Sequence, residues 1–315
     1  MRPRGGRAIK CSFLVEAGLS VGMGHLFRSA SVAQAIRRYG IEPVFLLRGD
    51  ARAIELAKSL GLTMGSHEHG RPMVIDATTV SPEDAELAMT ADPRVLISPV
   101  FDRPDLLSHV LVRSVPVLLR KSLGPTVEVI ERPEYAFATA HGLVRRDLRF
   151  NALRVGICLS GGNDPPYLDR LIRVVSCLPT VAETRVIRHD PVEPQSLDAR
   201  CRADVRERGF TTSPWSYFSR INLFVGGHGV MVAEAIAQGI PTISVGPPEC
   251  TGKNEFLAET GALVAVDDDF ATNPTLVEVL SDPKQLQALH TAARILVAGG
   301  ATGTLAEDVY RILAH

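Results

Sequence analysis

Short apolar runs alternate with segments of helical spacing along most of this chain. The first run, CSFLVEAG at residues 11–18, reads as a buried strand. It enters a turn with glycines at Gly22 and Gly24, and a helix begins at His25. Leu26, Ala30, Ala33 and Ile36 fall near one face of that helix, whereas Arg28, Gln34, Arg37 and Arg38 are polar. Gly40 follows the basic last turn and reads as its C-cap. EPVFLLRG at 42–49 predicts a second strand, and residues 50–60 a helix closed by Gly61. MVIDATT at 73–79 predicts a third strand that delivers Asp76 near its C-terminal end. Ser81 caps a further helix with Glu83 and Asp84 in its first turn, where acidic groups complement the exposed N–H groups. RVLISPVFD at 94–102 reads as a fourth strand and SVPVLLR at 114–120 as a fifth.

Between residues 123 and 153 the pattern weakens, and the stretch reads as a link between two domains. The alternation restarts at 153–178 with strand, glycine turn and helix; the turn is SGGNDPP, with Gly161 and Gly162 permitting close backbone approach. Asn163 or Asp164 is the expected cap, and Asp164 reads as a cap rather than a catalytic acid. A strand at 184–190 and a short helical step at 214–220 follow. The run 221–225 is then a buried strand entering Gly226-Gly227-His228-Gly229, a helix over 230–238 closed by Gly239, and another strand from Pro241. A glycine turn feeding a helix can hold a diphosphate against backbone N–H groups.

Strands spaced by helices imply parallel pairing with right-handed crossovers, so the fold class is α/β with doubly wound sheets. The expected division is residues 1–150 and 151–315. Ligands of such sheets sit outside the carboxyl ends of the strands. Gly22 to His25, Asp76 and Asp102 all map to such ends.

Composition narrows the class. At 315 residues, 45% hydrophobic and 22% charged, the chain is an ordinary globular protein long enough for two cores. A formal charge of −1 provides no basic field, so nucleic acid is not an expected partner. Five dispersed cysteines argue against a disulfide framework or a zinc site and for a reducing compartment. No cleavage-site pattern and no membrane-length apolar run is present, which reads as cytoplasmic. His67 and His69 lie two apart in a polar loop and read as solvated.

His25 is the residue with the most chemical promise. An imidazole at a helix N-terminus can pass a proton near neutral pH, or can simply be a solvated cap. From that stretch alone the two readings stand level. Taken together, GMGHLFR (22–28), SGGNDP (160–165) and GGHGVMVAEAIAQGIPTI (226–243) resemble, in that order, the PseG/SpsG family. Its members are MurG-like, GT-B-type proteins that hydrolyse UDP-sugars. The resemblance runs from about Cys11 to Ala265; its GxGHxxR pattern is specific, whereas the glycine–helix–Glu–GxP pattern is shared by GT-B enzymes generally.

The resemblance implies two Rossmann-like domains with parallel sheets facing across a cleft, with the last helix returning to the N-terminal domain. It places the sugar on the N-terminal side, with Gly22, Gly24, Arg28, Asp76 and Asp102 as substrate contacts; the Gly161, Gly162, Asn163 turn of the second domain is a further substrate contact, its donors aimed at the leaving diphosphate. It places the nucleotide on the C-terminal side, near Gly226, Gly227, His228, Gly229, Glu234 and Asn254. His25 matches the catalytic histidine. The implied reaction is attack of water at the anomeric carbon of a nucleotide-sugar, with a UDP-sugar favoured, His25 as general base and no cofactor or metal. A glycosyltransferase and a non-catalytic nucleotide-sugar binder are the rivals. For Arg28 taken alone, a solvated helix face is favoured over phosphate binding. His228-Gly229-Val230 departs from the family, which has Ser or Thr after the paired glycines. Of the acidic pair after the fourth strand only Asp102 survives, and Asn254 sits in an irregular segment. These departures bear on substrate more than on fold.

Overall fold

The computed structural model describes residues 9–18, 21–139, 147–159, 165–188, 203–208, 214–246, 254–266, 274–298 and 304–314. The chain divides into two compact units: Met1–Thr139 together with Ala301–His315, and Ala140–Gly300.

The first unit is built on a parallel sheet of six strands: β1 (Ile9–Ala17), β2 (Ile41–Gly49), β3 (Met73–Asp76), β4 (Arg94–Leu96), β5 (His109–Val112) and β6 (Glu128–Glu131). Their order is β2-β1-β3-β4-β5-β6, so β1 is interior and the order reverses beside it. β1 shows why both faces must be covered. Cys11, Phe13 and Val15 pack into one cluster with Leu26, Val32 and Ile36 of α1 (Gly24–Ile36), while Leu14 joins Met73, Ile75 and Leu96 on the other side. A strand buried on both faces reads as a continuous apolar run, which is how 11–18 reads. Helices α2 (Ala51–Ser59) and α3 (Pro82–Met89) start at side-chain caps: Asp50 accepts from Ala53 N, and Ser81 from Asp84 N.

Three local expectations are corrected. The segment expected as a fifth strand forms α4 (Val117–Ser122), starting directly after Pro116, whose fixed φ suits a helix start. The actual β5 precedes it. The fourth strand stops at Leu96, so Asp102 lies in the loop beyond it. Part of the stretch read as a link is β6, an edge strand with mostly exposed side chains and therefore without a strong apolar signal.

The chain closes with α11 (Thr304–Leu313) on this first unit, where Leu305, Val309 and Leu313 enter the same cluster as α1. Tyr310 stacks on Tyr39 with ring centroids 4.4 Å apart. The Tyr135 hydroxyl donates to the buried Asp308 carboxylate at 2.6 Å, and Arg311 adds a bond at 3.0 Å. Burial and that neighbouring carboxylate push the phenol pKa upward.

The second unit repeats the plan with β7 (Leu153–Cys158), β8 (Val181–Ile187), β9 (Asp204–Arg208), β10 (Leu223–Gly226), β11 (Thr242–Val245) and β12 (Leu263–Val266), in the order β12-β11-β10-β7-β8-β9. Its helices include α5 (Pro165–Ser176), α6 (Pro214–Phe218), α7 (Val230–Ala237), α8 (Glu255–Glu259), α9 (Pro274–Ser281) and α10 (Pro283–Ala298). β9 escaped the sequence reading because its residues, DVRER, are largely charged; Arg206 pairs with Asp204 of the same strand and with Glu183 of β8. Cys177 is disulfide-bonded, against the expectation from the dispersed spacing. Sequence separation does not report which thiols meet in space. Cys11 and Cys158 are free and buried. No helix among the described residues is long and apolar enough to cross a membrane.

Tyr135→Phe removes a hydrogen bond to a buried carboxylate, which costs about 1.5–3 kcal/mol in comparable cases. Urea unfolding is expected to show a free energy lower by that amount, seen as a lower midpoint at unchanged slope. An unchanged midpoint would mean that the Tyr135–Asp308 contact does not help hold α11.

Candidate active site

The C-terminal ends of β1 and β3 and the start of α1 meet in one place. Gly18 and Gly22 exchange backbone hydrogen bonds, Gly22 N to Gly18 O at 2.7 Å and Gly18 N to Gly22 O at 3.2 Å. Gly22 has φ of 81°, a value that L side chains rarely adopt, so glycine is needed for this turn. The turn leads into α1 with His25 in its first turn and Arg28 and Ser29 one turn further on.

All three side chains converge on Asp76 at the end of β3. Asp76 is fully buried. Arg28 donates Nε to Oδ2 at 3.0 Å and Nη2 to Oδ1, and the Ser29 hydroxyl donates to Oδ2 at 2.9 Å. Arg28 is therefore not on a solvated face: it is buried in a bidentate pair with Asp76, which corrects the sequence reading. Both carboxylate oxygens of Asp76 are occupied, so Asp76 acts on its neighbours rather than as an open ligand.

His25 Nδ1 lies 3.1 Å from the Asp76 backbone carbonyl and 3.5 Å from Asp76 Oδ1. A carbonyl can only accept, so Nδ1 carries the proton and Nε2 keeps its lone pair. Burial lowers the His25 pKa from the ordinary 6.5, the Asp76 charge opposes that, and Arg28 lowers it further; the Asp76 carbonyl and Glu16 also raise it. The net shift is downward, so the imidazole is neutral and basic at neutral pH. Its side chain remains 16% exposed.

Two charged neighbours were not recognised as site residues from the sequence. Glu16, near the end of β1, accepts from the amide and hydroxyl of both Thr78 and Thr79. Arg113, directly after β5, is buried, and its pKa is pushed down to about 10, by burial first and by Arg28 second. Neither signal is visible in a single sequence, because one carboxylate in an apolar run and one arginine after another carry no spacing. Asp102 is exposed, and its amide donates to the Thr78 carbonyl at 3.1 Å, which sets its loop beside the Thr78 loop.

In the second unit, Gly226 ends β10 and the Gly227 amide donates to Cys158 O at 3.2 Å. Gly226 sits so close to the Phe224 ring that a Cβ there would lie 2.4 Å from a ring carbon. Gly229 is the N-cap of α7 and offers no side-chain cap. His228 Nδ1 lies 2.9 Å from the Ser244 hydroxyl, to which Asn254 Nδ2 also donates at 3.4 Å. These three side chains form one chain from the glycine turn to the start of α8. Gly246, with φ of 158°, faces the His228 ring, and a Cβ there would lie 2.6 Å from it. Glu234 is buried on α7, and its charge, after burial, helps push the Cys158 thiol up to about 12.

Gly161, Gly162 and Asn163 lie outside the described residues, as does Asp164. Of the paired histidines, His67 is half-buried and lies 2.8 Å from the Ser12 hydroxyl, rather than solvated. Among the described residues, no three His, Cys, Asp or Glu side chains are grouped to hold a metal.

Similarity to solved structures spans nearly the whole chain. The Anabaena protein Alr3699/HepE, solved in complex with UDP and glucose, superposes with a TM-score of 0.63 at 14% identity over 97% of this chain and 99% of that one. Acinetobacter baumannii MurG gives 0.61 at 15% identity over 97% and 99%, and the glycosyltransferase SnogD from Streptomyces nogalater 0.61 at 16% over 98% and 100%. The fold is GT-B-like, as in these solved structures. No family model matches the chain, and no curated protein matches it in sequence.

Arg28→Met is expected to raise the His25 midpoint, since it removes a charge that lowers it and frees one that raises it. An imidazole NMR titration reads this directly, with the wild-type midpoint below 6.5. Because folding depresses the His25 pKa, protons favour the unfolded chain. The His25 contribution to stability is full above about pH 6.5 and falls as the pH drops below it. The same variant leaves a buried carboxylate without its cation, a loss of about 3–5 kcal/mol in comparable pairs. A lowered His25 midpoint in Arg28→Met would contradict this electrostatic account.

Proposed function

We propose that the protein hydrolyses a nucleotide-activated sugar, with a UDP-sugar as the favoured substrate. The observation that carries the reading is the Nδ1 contact of His25 with the Asp76 carbonyl, which leaves a basic Nε2 at the carboxyl end of a parallel sheet. Water gives a proton to Nε2 as its oxygen bonds to the anomeric carbon. The bond from that carbon to the diphosphate oxygen breaks, and the nucleoside diphosphate leaves with the electron pair. A positioned base of this kind contributes about 10²–10⁴-fold.

The turn at Gly226, Gly227, His228 and Gly229 is proposed to hold the leaving diphosphate. Backbone N–H groups at the start of α7 are uncommitted to helix bonds and carry partial positive charge. Donors aimed at developing negative charge lower the barrier without needing to reorganise. Glu234 and Asn254 are proposed nucleotide contacts, and Arg28 and Asp76 are assigned to positioning His25. Gly22 and Gly24 shape the turn on the sugar side, and Asp102 is a proposed sugar contact. Gly161, Gly162 and Asn163 remain proposed substrate contacts on the family resemblance alone.

A second reading has its own support. The solved structures of similar fold named above include a glycosyltransferase, SnogD, and one protein solved with UDP and glucose. On this reading His25 Nε2 takes its proton from an acceptor hydroxyl instead of water.

Incubation of wild type and His25→Ala with UDP-, CMP-, CDP-, GDP- and dTDP-sugars in ¹⁸O water separates these readings. Hydrolysis predicts nucleotide release without any acceptor, label in the sugar, and a loss of about 10²–10⁴-fold in the variant. Release that requires an added acceptor would establish the transferase. Binding without release, unchanged in His25→Ala, would leave only a nucleotide-sugar binding protein.

A further inference from the structure

We propose that Glu16 is a positioning residue for His25: its carboxylate clamps Thr78 and Thr79, and through them holds the Asp76 carbonyl on Nδ1. The proposal rests on the reading of His25 as a base only for its effect on rate; its structural claim is independent of that reading.

One carboxylate does an unusual amount of local work here. Glu16 Oε2 accepts from Thr78 N at 2.9 Å, Thr78 Oγ1 at 2.7 Å and Thr79 N at 3.3 Å, and Oε1 accepts from Thr79 Oγ1 at 3.3 Å. β1 pairs with β3 only as far as Val15 and Asp76. The Glu16 side chain adds its own connection to the segment that follows this pair. The residues it fixes are two and three positions after Asp76, whose carbonyl meets His25 Nδ1 at 3.1 Å. The same loop offers the Thr78 carbonyl to the Asp102 amide at 3.1 Å. Hydrogen bonds to a carboxylate are stronger than neutral ones, so four on one group hold the loop stiffly.

An imidazole has two tautomers, and the carbonyl opposite Nδ1 decides which nitrogen is left basic. If the loop turns, Asp76 O leaves Nδ1, and the proton is free to sit on Nε2, where it blocks the base. Glu16 also reaches His25 by charge, as one of the groups that raise its pKa. The groups acting on the imidazole are Asp76, Arg28 and Glu16. Arg28 in turn lowers the pKa of the buried Arg113.

The two effects of Glu16 come apart in two substitutions. In Glu16→Gln the amide oxygen can take over the three bonds to Oε2, and the Thr79 hydroxyl can accept from the amide nitrogen, so the clamp persists while the charge is lost. In Glu16→Ala both are lost. The readout is the ¹⁵N shift pattern of the His25 ring, which distinguishes the tautomers without any substrate. Wild type and Glu16→Gln are expected to be protonated at Nδ1, with the midpoint lower in Glu16→Gln. Glu16→Ala is expected to populate the Nε2–H tautomer and to lose nucleotide release by on the order of ten- to a hundredfold, mainly in kcat. Thr78→Val, which removes only one donor, gives the same direction in smaller measure and serves if Glu16→Ala fails to fold. A folded Glu16→Ala with the wild-type tautomer overturns the proposal, as does an unchanged tautomer in Thr78→Val when Glu16→Ala does not fold. A tautomer that shifts as expected while wild type releases no nucleotide upholds the clamp and sinks the base.

Discussion

A carboxylate removed from water keeps its charge only if every oxygen is met by a donor. Asp76 is in that position, and the first unit is arranged around meeting its need. Arg28 and Ser29 lie three and four residues after His25 on α1, a spacing that turns all three toward the end of β3. The requirement fixes the rotation of α1 and, through it, the place of His25. The turn at Gly18 and Gly22 is tight because α1 must begin immediately beside β3. A helix that buried only apolar side chains could slide or rotate at small cost; one that closes a buried ion pair cannot.

Chemistry follows from the same constraint. His25 does not share Asp76 as a charge partner in the way a strongly paired imidazolium would, because Arg28 already takes both carboxylate oxygens. It is held instead by the neutral carbonyl of the same residue, which selects a tautomer, while burial outweighs the upward pull of Asp76 and keeps the ring neutral. A buried, neutral imidazole with its outer nitrogen free is suited to accept a proton at neutral pH. The second unit uses different means at the equivalent ends of its strands. There His228, Ser244 and Asn254 link the glycine turn to the segment beyond β11.

Much of this was legible in the chain and some was not. Strands buried on both faces announce themselves as apolar runs, so β1, β3, β7 and β10 were readable. Edge strands are not bound by that rule: β6 and β9 carry charges at exposed positions and therefore read as link or loop. His25 stood out because glycines and a helix start surround it. Arg28 was misjudged since helical spacing marks it as polar, and only its contact with Asp76, far off in sequence, shows that it is buried. Glu16 looked like an interruption of an apolar run. Its partners lie more than sixty residues away, a distance that pattern reading does not span.

The pH dependence of kcat/KM for nucleotide release, in wild type and His25→Gln, tests the account most directly. The account predicts a wild-type rate that is level through neutrality and falls with a single protonation below pH 6.5, the direction in which burial moves His25. In His25→Gln that limb should vanish along with a loss of about 10²–10⁴-fold. The same acid limb persisting in His25→Gln, with little loss of rate, would mean that another group takes the proton and that the Asp76 arrangement serves only the fold.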